Sequence, residues 1–316
     1  MSKKILITGG LGYVGGRIAA HLAEKHPKDS LRLMTHRTVD QAAPWTADIK
    51  IFQADLRDES SLISCLDGID TVVHMAAVNE VQSQQDPDLA LQVNGKGTHT
   101  LLKAAAKQGV SRFIYFSTFH VYGPDAPQII DESTPTRPVH PYAITHRLAE
   151  DYVNWHRHSF NLDSLVIRLS NGYGYPMDSQ VNRWTLLIND LCQQASKNGE
   201  IRLRSSGSQH RDFIALSDVS RAVEHFLAMP ANSWQDGLFN LGGECSMSIL
   251  DIAQRVAREF KILYGKELPV IAGENQDSAG ARPVGFRIDK IKSTGFSIQG
   301  DMSHEIQKTL ELCSAI

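Results

Sequence analysis

The stretch Lys4-Ile5-Leu6-Ile7-Thr8-Gly9-Gly10-Leu11-Gly12-Tyr13-Val14-Gly15-Gly16 decides the fold. A run of strand length, Lys4 to Thr8, ends in glycine, and a helical pattern follows from about Gly12 to Lys25. Gly9, Gly12 and Gly15 form a GxxGxxG phrase across the junction. Their missing side chains let the chain turn tightly, let backbone N–H groups approach a pyrophosphate, and let the helix pack close on the strand. The helix start adds about half a positive charge. Strand, glycine turn and helix in this order form the setting in which such a phrase signals a dinucleotide site.

Outward from that stretch, short apolar runs alternate with longer amphipathic ones. Strands are predicted at Lys4 to Thr8, Leu31 to Thr35, Ile49 to Gln53, Thr71 to Met75, Arg112 to Ser117 and Ser164 to Leu169. Helices are predicted at about Gly12 to Lys25, Glu59 to Leu66, Asp88 to Gln108 and Pro141 to Ser159. The third carries Leu89, Val93, Leu101, Leu102 and Ala105 as an apolar stripe. Six strands with right-handed crossovers describe an α/β fold, a Rossmann-type doubly wound parallel sheet. After Asn171 the rhythm changes at the turn-rich Gly172-Tyr173-Gly174-Tyr175-Pro176. Later elements are expected near Asn182 to Lys197, Ile201 to Leu203, Asp218 to Ala228 and Ser248 to Phe260. Residues 1–171 therefore read as a dinucleotide-binding domain, with strands returned from about 208–243. Residues 172–316 read as a smaller mixed α/β substrate-binding lobe.

A chain of 316 residues buries a substantial core without staples. Lys and Arg number 32 against 35 Asp and Glu, a net charge of −3, so no basic excess points to nucleic acid. Cys65, Cys192, Cys245 and Cys313 stand far apart and read as plain thiols of a reducing compartment. No run of roughly 18 apolar residues is present, and the three-residue run Ile5 to Ile7 is too short for a signal-peptide core. No membrane association and a cytoplasmic location are expected. No histidine or carboxylate set has metal-ligand spacing, so no metal is expected.

The second strand ends Met34-Thr35-His36-Arg37, with no carboxylate before Asp40. A carboxylate there would hold the ribose hydroxyls of NAD, whereas a nearby arginine accommodates the 2′-phosphate of NADP. Thr35, His36 and Arg37 thus favour NADP within an NAD(P) reading.

With Tyr142 four residues before His146, and Thr118-Phe119-His120-Val121-Tyr122-Gly123 upstream, the sequence resembles the extended short-chain dehydrogenase/reductase family. Within it the resemblance is to the nucleotide-sugar epimerases, dehydratases and ketoreductases. It runs through nearly the whole chain, from the glycine loop through Asp55-Leu56-Arg57, His74-Met75-Ala76-Ala77, Asn94 and Arg168-Leu169-Ser170-Asn171. Arg211-Asp212-Phe213-Ile214, Asp218-Val219, Asn240-Leu241-Gly242-Gly243, Arg282-Pro283 and Asp289-Lys290 continue it. The resemblance implies that Tyr13 and Val14 join the loop against the cofactor. Asp55 and Leu56 would flank the adenine, and Met75, Ala76, Ala77, Asn94 and Ser117 would line the cofactor. Ser117, at the end of its strand, also has a purely structural reading. Asn171, Arg211 and Arg282 match positions that hold the nucleotide diphosphate of a sugar substrate, and guanidinium forks suit pyrophosphate. A homodimer through the Asp88 to Gln108 and Pro141 to Ser159 helices is also implied.

Removing hydride from a sugar carbon requires a base for the hydroxyl proton, and reduction runs the same steps backwards. By resemblance Tyr142 is that acid/base and Thr118 its hydroxyl partner. Tyrosine has an unperturbed pKa near 10 and works at neutral pH only if its phenolate is stabilised. The family places a lysine where this chain has His146. Residues i and i+4 share a helix face, so the imidazole can sit below Tyr142. Mostly neutral at neutral pH, it depresses a phenol pKa less than an ammonium does. Three readings stay open: slower, pH-sensitive catalysis; compensation by another group; or a site that only binds. On the first, His146→Lys raises turnover and flattens the pH profile. His120 reads as a proton donor to a sugar hydroxyl or as a pocket wall. With Phe119 before it, the Asp-Glu pair of the dehydratases is missing, which disfavours a 4,6-dehydratase. His156 and His158 are expected in solvent, and His210 in a loop. Hydride transfer at C4 of a nucleotide-diphosphate sugar by an epimerase or an NADPH-dependent ketoreductase is the expected activity. A catalytically impaired binding protein is the alternative.

Overall fold

The computed structural model describes residues 2–39, 43–160, 162–275 and 284–314. Its large sheet opens with β1 (Lys4–Thr8), followed by α1 (Tyr13–Lys25), β2 (Ser30–Thr35), β3 (Lys50–Gln53), α2 (Glu59–Leu66), β4 (Thr71–His74) and β5 (Arg112–Thr118). The strands Asp163–Leu169 and Leu238–Leu241 complete it. In space the order is Leu238–Leu241, Asp163–Leu169, β5, β4, β1, β2, β3. Pairings from β3 across to Asp163–Leu169 are parallel. The order reverses between β1 and β4, and ligands of such sheets bind outside the carboxyl ends of the strands at that point.

The strands read in the sequence form within two residues of their expected ends, because each is a short apolar run; β4 is buried throughout, while β3, at the sheet's edge, is only partly buried. One core packs Leu6, Met34, Val72, Phe113 and Val166 with Leu62, Leu66, Leu101 and Val153.

The helix expected from Asp88 to Gln108 is broken into parts. Pro87–Ala90 runs into a wide π-turn at Leu91–Gly97 and then into Thr98–Lys107. Two glycines permit the close packing around this turn. A Cβ on Gly95 would stand 2.8 Å from the Leu148 side chain, and one on Gly97 2.9 Å from Leu56. Inside the turn Asn94 is buried and accepts from the Val78 amide at 2.7 Å. Its amide donates to the Thr145 hydroxyl at 3.1 Å. Such turns recur at functional sites.

Contacts divide the chain into two units. The first holds residues 1–126, 132–169 and 220–240; the second holds 127–131, 170–219 and 241–316. Of the region expected to return to the large sheet, Leu238–Leu241 does so. His210–Ala215 instead pairs with Asn171–Tyr173 and Ser246–Ser248 in a three-stranded sheet of the second unit. That unit has its own core, in which Tyr173, Phe213 and Ala215 meet Ile188, Leu191, Ile252, Val256 and Leu310. Its first long helix starts at Leu187 rather than near Asn182. The preceding turn is held by the Asn189 amide on the Arg183 carbonyl at 3.2 Å.

Candidate active site

The glycine loop has the geometry its spacing requires. Gly9 lies at φ +67°, and a Cβ there would meet the Ala76 amide nitrogen at 3.0 Å. At Gly12 a Cβ would stand 3.0 Å from the Gly9 carbonyl oxygen, and at Gly15 it would collide with that oxygen. Helix α1 starts with no capping side chain at Gly12 and no acid in its first turn. No side-chain cap and no negative charge therefore compete with an anion at this helix start. Tyr13 is buried behind the loop and Val14 is half-buried.

A hydrogen-bonded chain ties this loop to the end of β4. The Thr8 hydroxyl accepts from the Met75 and Ala76 amides, each at 3.1 Å, so its own hydrogen goes to His74 Nδ1 at 2.6 Å. His74 Nε2 then donates to Thr98 at 2.9 Å, and Thr98 donates to the Asn94 carbonyl at 2.6 Å. Burial, then the neighbouring His146, pushes the His74 pKa down to about 3. Met75 and Ala76 are thereby held half-buried beside the loop, with Ala77 exposed.

At the end of β2, Thr35 is buried and accepts from the Arg37 amide at 3.2 Å, while the side chains of His36 and Arg37 are exposed. Asp55, after β3, is clasped by Arg57, with Nη2 to Oδ2 at 2.6 Å. That hydrogen bond is the main cause lowering the Asp55 pKa, and His36 adds to it. Leu56 is buried beneath. Asp40 lies outside the described residues.

Tyr142 stands in the first turn of the helix Pro141–Ser159, with His146 one turn on and buried. The two rings meet edge to face, centroids 4.3 Å apart. His146 Nδ1 lies 2.6 Å from the hydroxyl of Tyr115 on β5. Its Nε2 is buried with no hydrogen-bond partner among the described residues. Burial first, then His120 and His140, pushes the His146 pKa down to about 3. Enclosure thus favours the neutral imidazole. Thr118 ends β5, buried, its oxygen accepting from the His120 amide at 3.2 Å. The His120 ring is exposed, 5.5 Å from His140 and 6.3 Å from Tyr142.

Two expected cofactor residues are engaged within the protein. Asn94 holds the π-turn as described, and Ser117 donates to Glu150 at 2.6 Å. Glu150 also takes two bonds from Arg168, at 3.0 and 2.7 Å, all buried. Burial works against the Arg168 charge, and Glu150 more than offsets it, raising its pKa.

Residues 5–242 match the model of the NAD dependent epimerase/dehydratase family. The chain belongs to this family. The match takes in every candidate named above except Arg282. A dTDP-D-glucose 4,6-dehydratase of Mus musculus is 30% identical over 280 residues, 82% of this chain and 74% of that protein. A UDP-glucose 4-epimerase of Halalkalibacterium halodurans is 29% identical, covering 79% of this chain and 78% of that one. Among solved structures, a UDP-N-acetylglucosamine 4-epimerase from Methanobrevibacter ruminantium superposes with a TM-score of 0.85 at 21% identity, over 98% of both chains. The NAD complex of Thermus thermophilus UDP-glucose 4-epimerase does so at 0.81 and 22%, again over 98% of both.

In the second unit of this family member, Asn171 donates to the Asp212 carbonyl at 2.8 Å, and Asn171 pairs with Phe213 across the small sheet. Half-buried Arg211 on the adjoining strand donates to Gln209 at 3.0 Å. Arg282 lies outside the described residues. His156 departs from expectation. It is buried, because Ala149, Val153 and His156 form the inward stripe of their helix, and it packs 5.0 Å from Trp155 and 4.8 Å from Phe160. His158 is exposed as expected. Sequence reasoning missed Tyr115, His74 and Thr98. The only available signal was polar residues inside otherwise apolar strands, and it names no partner.

Proposed function

We propose that this protein holds NAD(P) at the glycine loop and moves hydride at C4 of a nucleotide-diphosphate sugar, with Tyr142 as acid/base. One observation carries the reading. Tyr142, His146 and the end of β5 with Thr118 are gathered in the unit that also carries the glycine loop. The fit to a dinucleotide rests on the uncapped start of α1 and on glycines whose Cβ positions are filled by backbone. A nicotinamide, when bound, supplies a reversible hydride acceptor. Tyr142 takes the proton of the sugar hydroxyl and later returns it. Thr118 donates a hydrogen bond to the same oxygen. His146, neutral, contributes a hydrogen bond and no charge.

A nucleotide-diphosphate sugar is supported by relatives named for UDP-glucose and dTDP-glucose, and Asn171, Arg211 and Arg282 are the residues proposed to hold it. Phe119-His120 in place of the acidic pair speaks against water elimination. NADPH-dependent ketoreduction is the second reading. It is favoured by the exposed Arg37 guanidinium, which has no partner among the described residues. A homodimer through the helices Thr98–Lys107 and Pro141–Ser159 is supported by Ile144 and Trp155, 48% and 46% exposed and three turns apart on one helix. No helix of the described residues is long and apolar enough to cross a membrane.

The test is to purify the protein without added cofactor, denature it and identify released nicotinamide nucleotides by mass spectrometry. Stoichiometric NAD supports the epimerase and overturns the role given to Arg37. An empty protein that binds NADPH more tightly than NADH supports the ketoreductase. Neither bound nor binding, the catalytic reading fails. With activity in hand, Tyr142→Phe lowers kcat by about 10²- to 10⁴-fold.

A further inference from the structure

We propose that Tyr115 is a positioning residue that locks His146 in its Nε2–H tautomer, so that the helix presents a neutral hydrogen-bond donor to a sugar hydroxyl of the bound ligand. The ligand half of this rests on the reading above, while the tautomer half stands on the protein alone.

Tyr115 is fully enclosed in β5, and its hydroxyl meets His146 Nδ1 at 2.6 Å. No other acceptor or donor reaches that hydroxyl among the described residues. A neutral phenol has one hydrogen to give, and a neutral imidazole has one N–H and one bare nitrogen. If Nδ1 carried the proton it would donate to the phenol oxygen. The phenolic hydrogen would then be buried without an acceptor, and Nε2 would be a second orphan. With the proton on Nε2, Tyr115 donates to Nδ1 and a single group remains unmet. Buried unmet donors are costly, so the second arrangement prevails.

The group left over is Nε2–H, enclosed and unpartnered on the helix face that carries Tyr142. An imidazolium is disfavoured, because it would again strand the phenolic hydrogen. Burial with His120 and His140 nearby also holds the ring neutral. His74 is an internal comparison: Thr8, already accepting two amides, forces the same tautomer, and there Nε2–H finds Thr98. At His146 the corresponding acceptor has to come from the ligand. An enclosed donor without charge suits an alcohol oxygen, whether of a cofactor ribose or of a hexose.

The experiment uses the full chain labelled with 15N in its histidine rings. The expected spectrum shows His146 Nε2 as pyrrole-type and Nδ1 as pyridine-type, and Tyr115→Phe mixes the two forms. A pyrrole-type Nδ1 in the unmodified protein overturns the proposal, as does a tautomer unmoved by Tyr115→Phe. Should that variant not fold, the wild-type spectrum decides alone. Loss of packing would lower the melting temperature and leave the ring nitrogens as they were. Because no turnover is needed, failure of the hydride reading leaves this result untouched.

NADH, NADPH and UDP-glucose are then added singly. A shift of the Nε2 resonance with a dinucleotide alone identifies a ribose hydroxyl, and a shift with UDP-glucose alone identifies the hexose. No shift with any of them overturns the ligand half. Tyr115→Phe is expected to weaken binding of the responding ligand about tenfold.

Discussion

The glycine loop and the tyrosine helix lie in one unit yet are specified in opposite ways. In the loop, backbone fills the space where side chains would be, and Gly9, Gly12 and Gly15 are required by sterics alone. Around Tyr142, by contrast, two of the buried groups depend on side chains far away in the chain. His146 meets Tyr115 from 31 positions upstream, and Ser117 meets Glu150 from 33. Backbone geometry leaves a local trace in a sequence. Side-chain partnership across strands leaves none, and its members can be exchanged in pairs.

The sharpest way to break the second region is Glu150→Ala, which leaves Arg168 buried without its carboxylate and Ser117 without its acceptor. Stability should fall by about 3–5 kcal/mol in chemical denaturation. Breaking the first region costs less stability and more binding. In Gly15→Ala the new methyl meets the Gly9 carbonyl oxygen. Calorimetry should register about 1–3 kcal/mol of destabilisation, and equilibrium dialysis should show loss of dinucleotide binding. Intact binding in this variant would detach the loop from the cofactor altogether.

Acid separates the regions further, since the loop has nothing to titrate. His156, like His74 and His146, is held neutral by burial, its pKa pushed down to about 4 from the usual 6.5. The unfolded chain takes up a proton below 6.5 and the folded one does not. Stability is therefore full above pH 6.5 and drains away as pH falls toward 4. At pH 5 this amounts to about 2 kcal/mol for His156. His156→Phe should recover that difference at pH 5 and little of it at pH 7.5, as read from melting curves at both. The smallest effect belongs to Arg37→Ala, which should weaken NADPH about tenfold and leave NADH unchanged in fluorescence titrations.

Much of the fold was legible because burial writes itself in period. The runs Ile5 to Ile7 and Phe113 to Phe116 and the stripe through Leu101, Leu102 and Ala105 are buried where their patterns place them. The π-turn was not, because Gly95 and Gly97 weaken a helix at Leu91 to Gly97 without showing that it widens, as it does to aim Asn94 at Val78 and Thr145. His156 misled for a similar reason. Beside Arg157 and His158 it reads as polar, yet its place in the stripe with Ala149 and Val153 outweighs its chemistry. At the tyrosine site the residue types and a neutral His146 were legible, and the partner that meets its Nδ1, Tyr115, was not.

The π-turn also governs how this chain tolerates changes in length. An α-helix advances about 100° per residue, so one residue more or less turns everything beyond it by that angle. Asn94 reaches Val78 and Thr145, while Thr98, just past the widened turn, reaches His74. Both anchors exist because the turn sets the phase between them. Substituting either residue loses one anchor. Deleting a single residue between them would swing Thr98 away from His74 and release the support behind Met75 and Ala76. In this segment, chain length is as tightly constrained as residue identity.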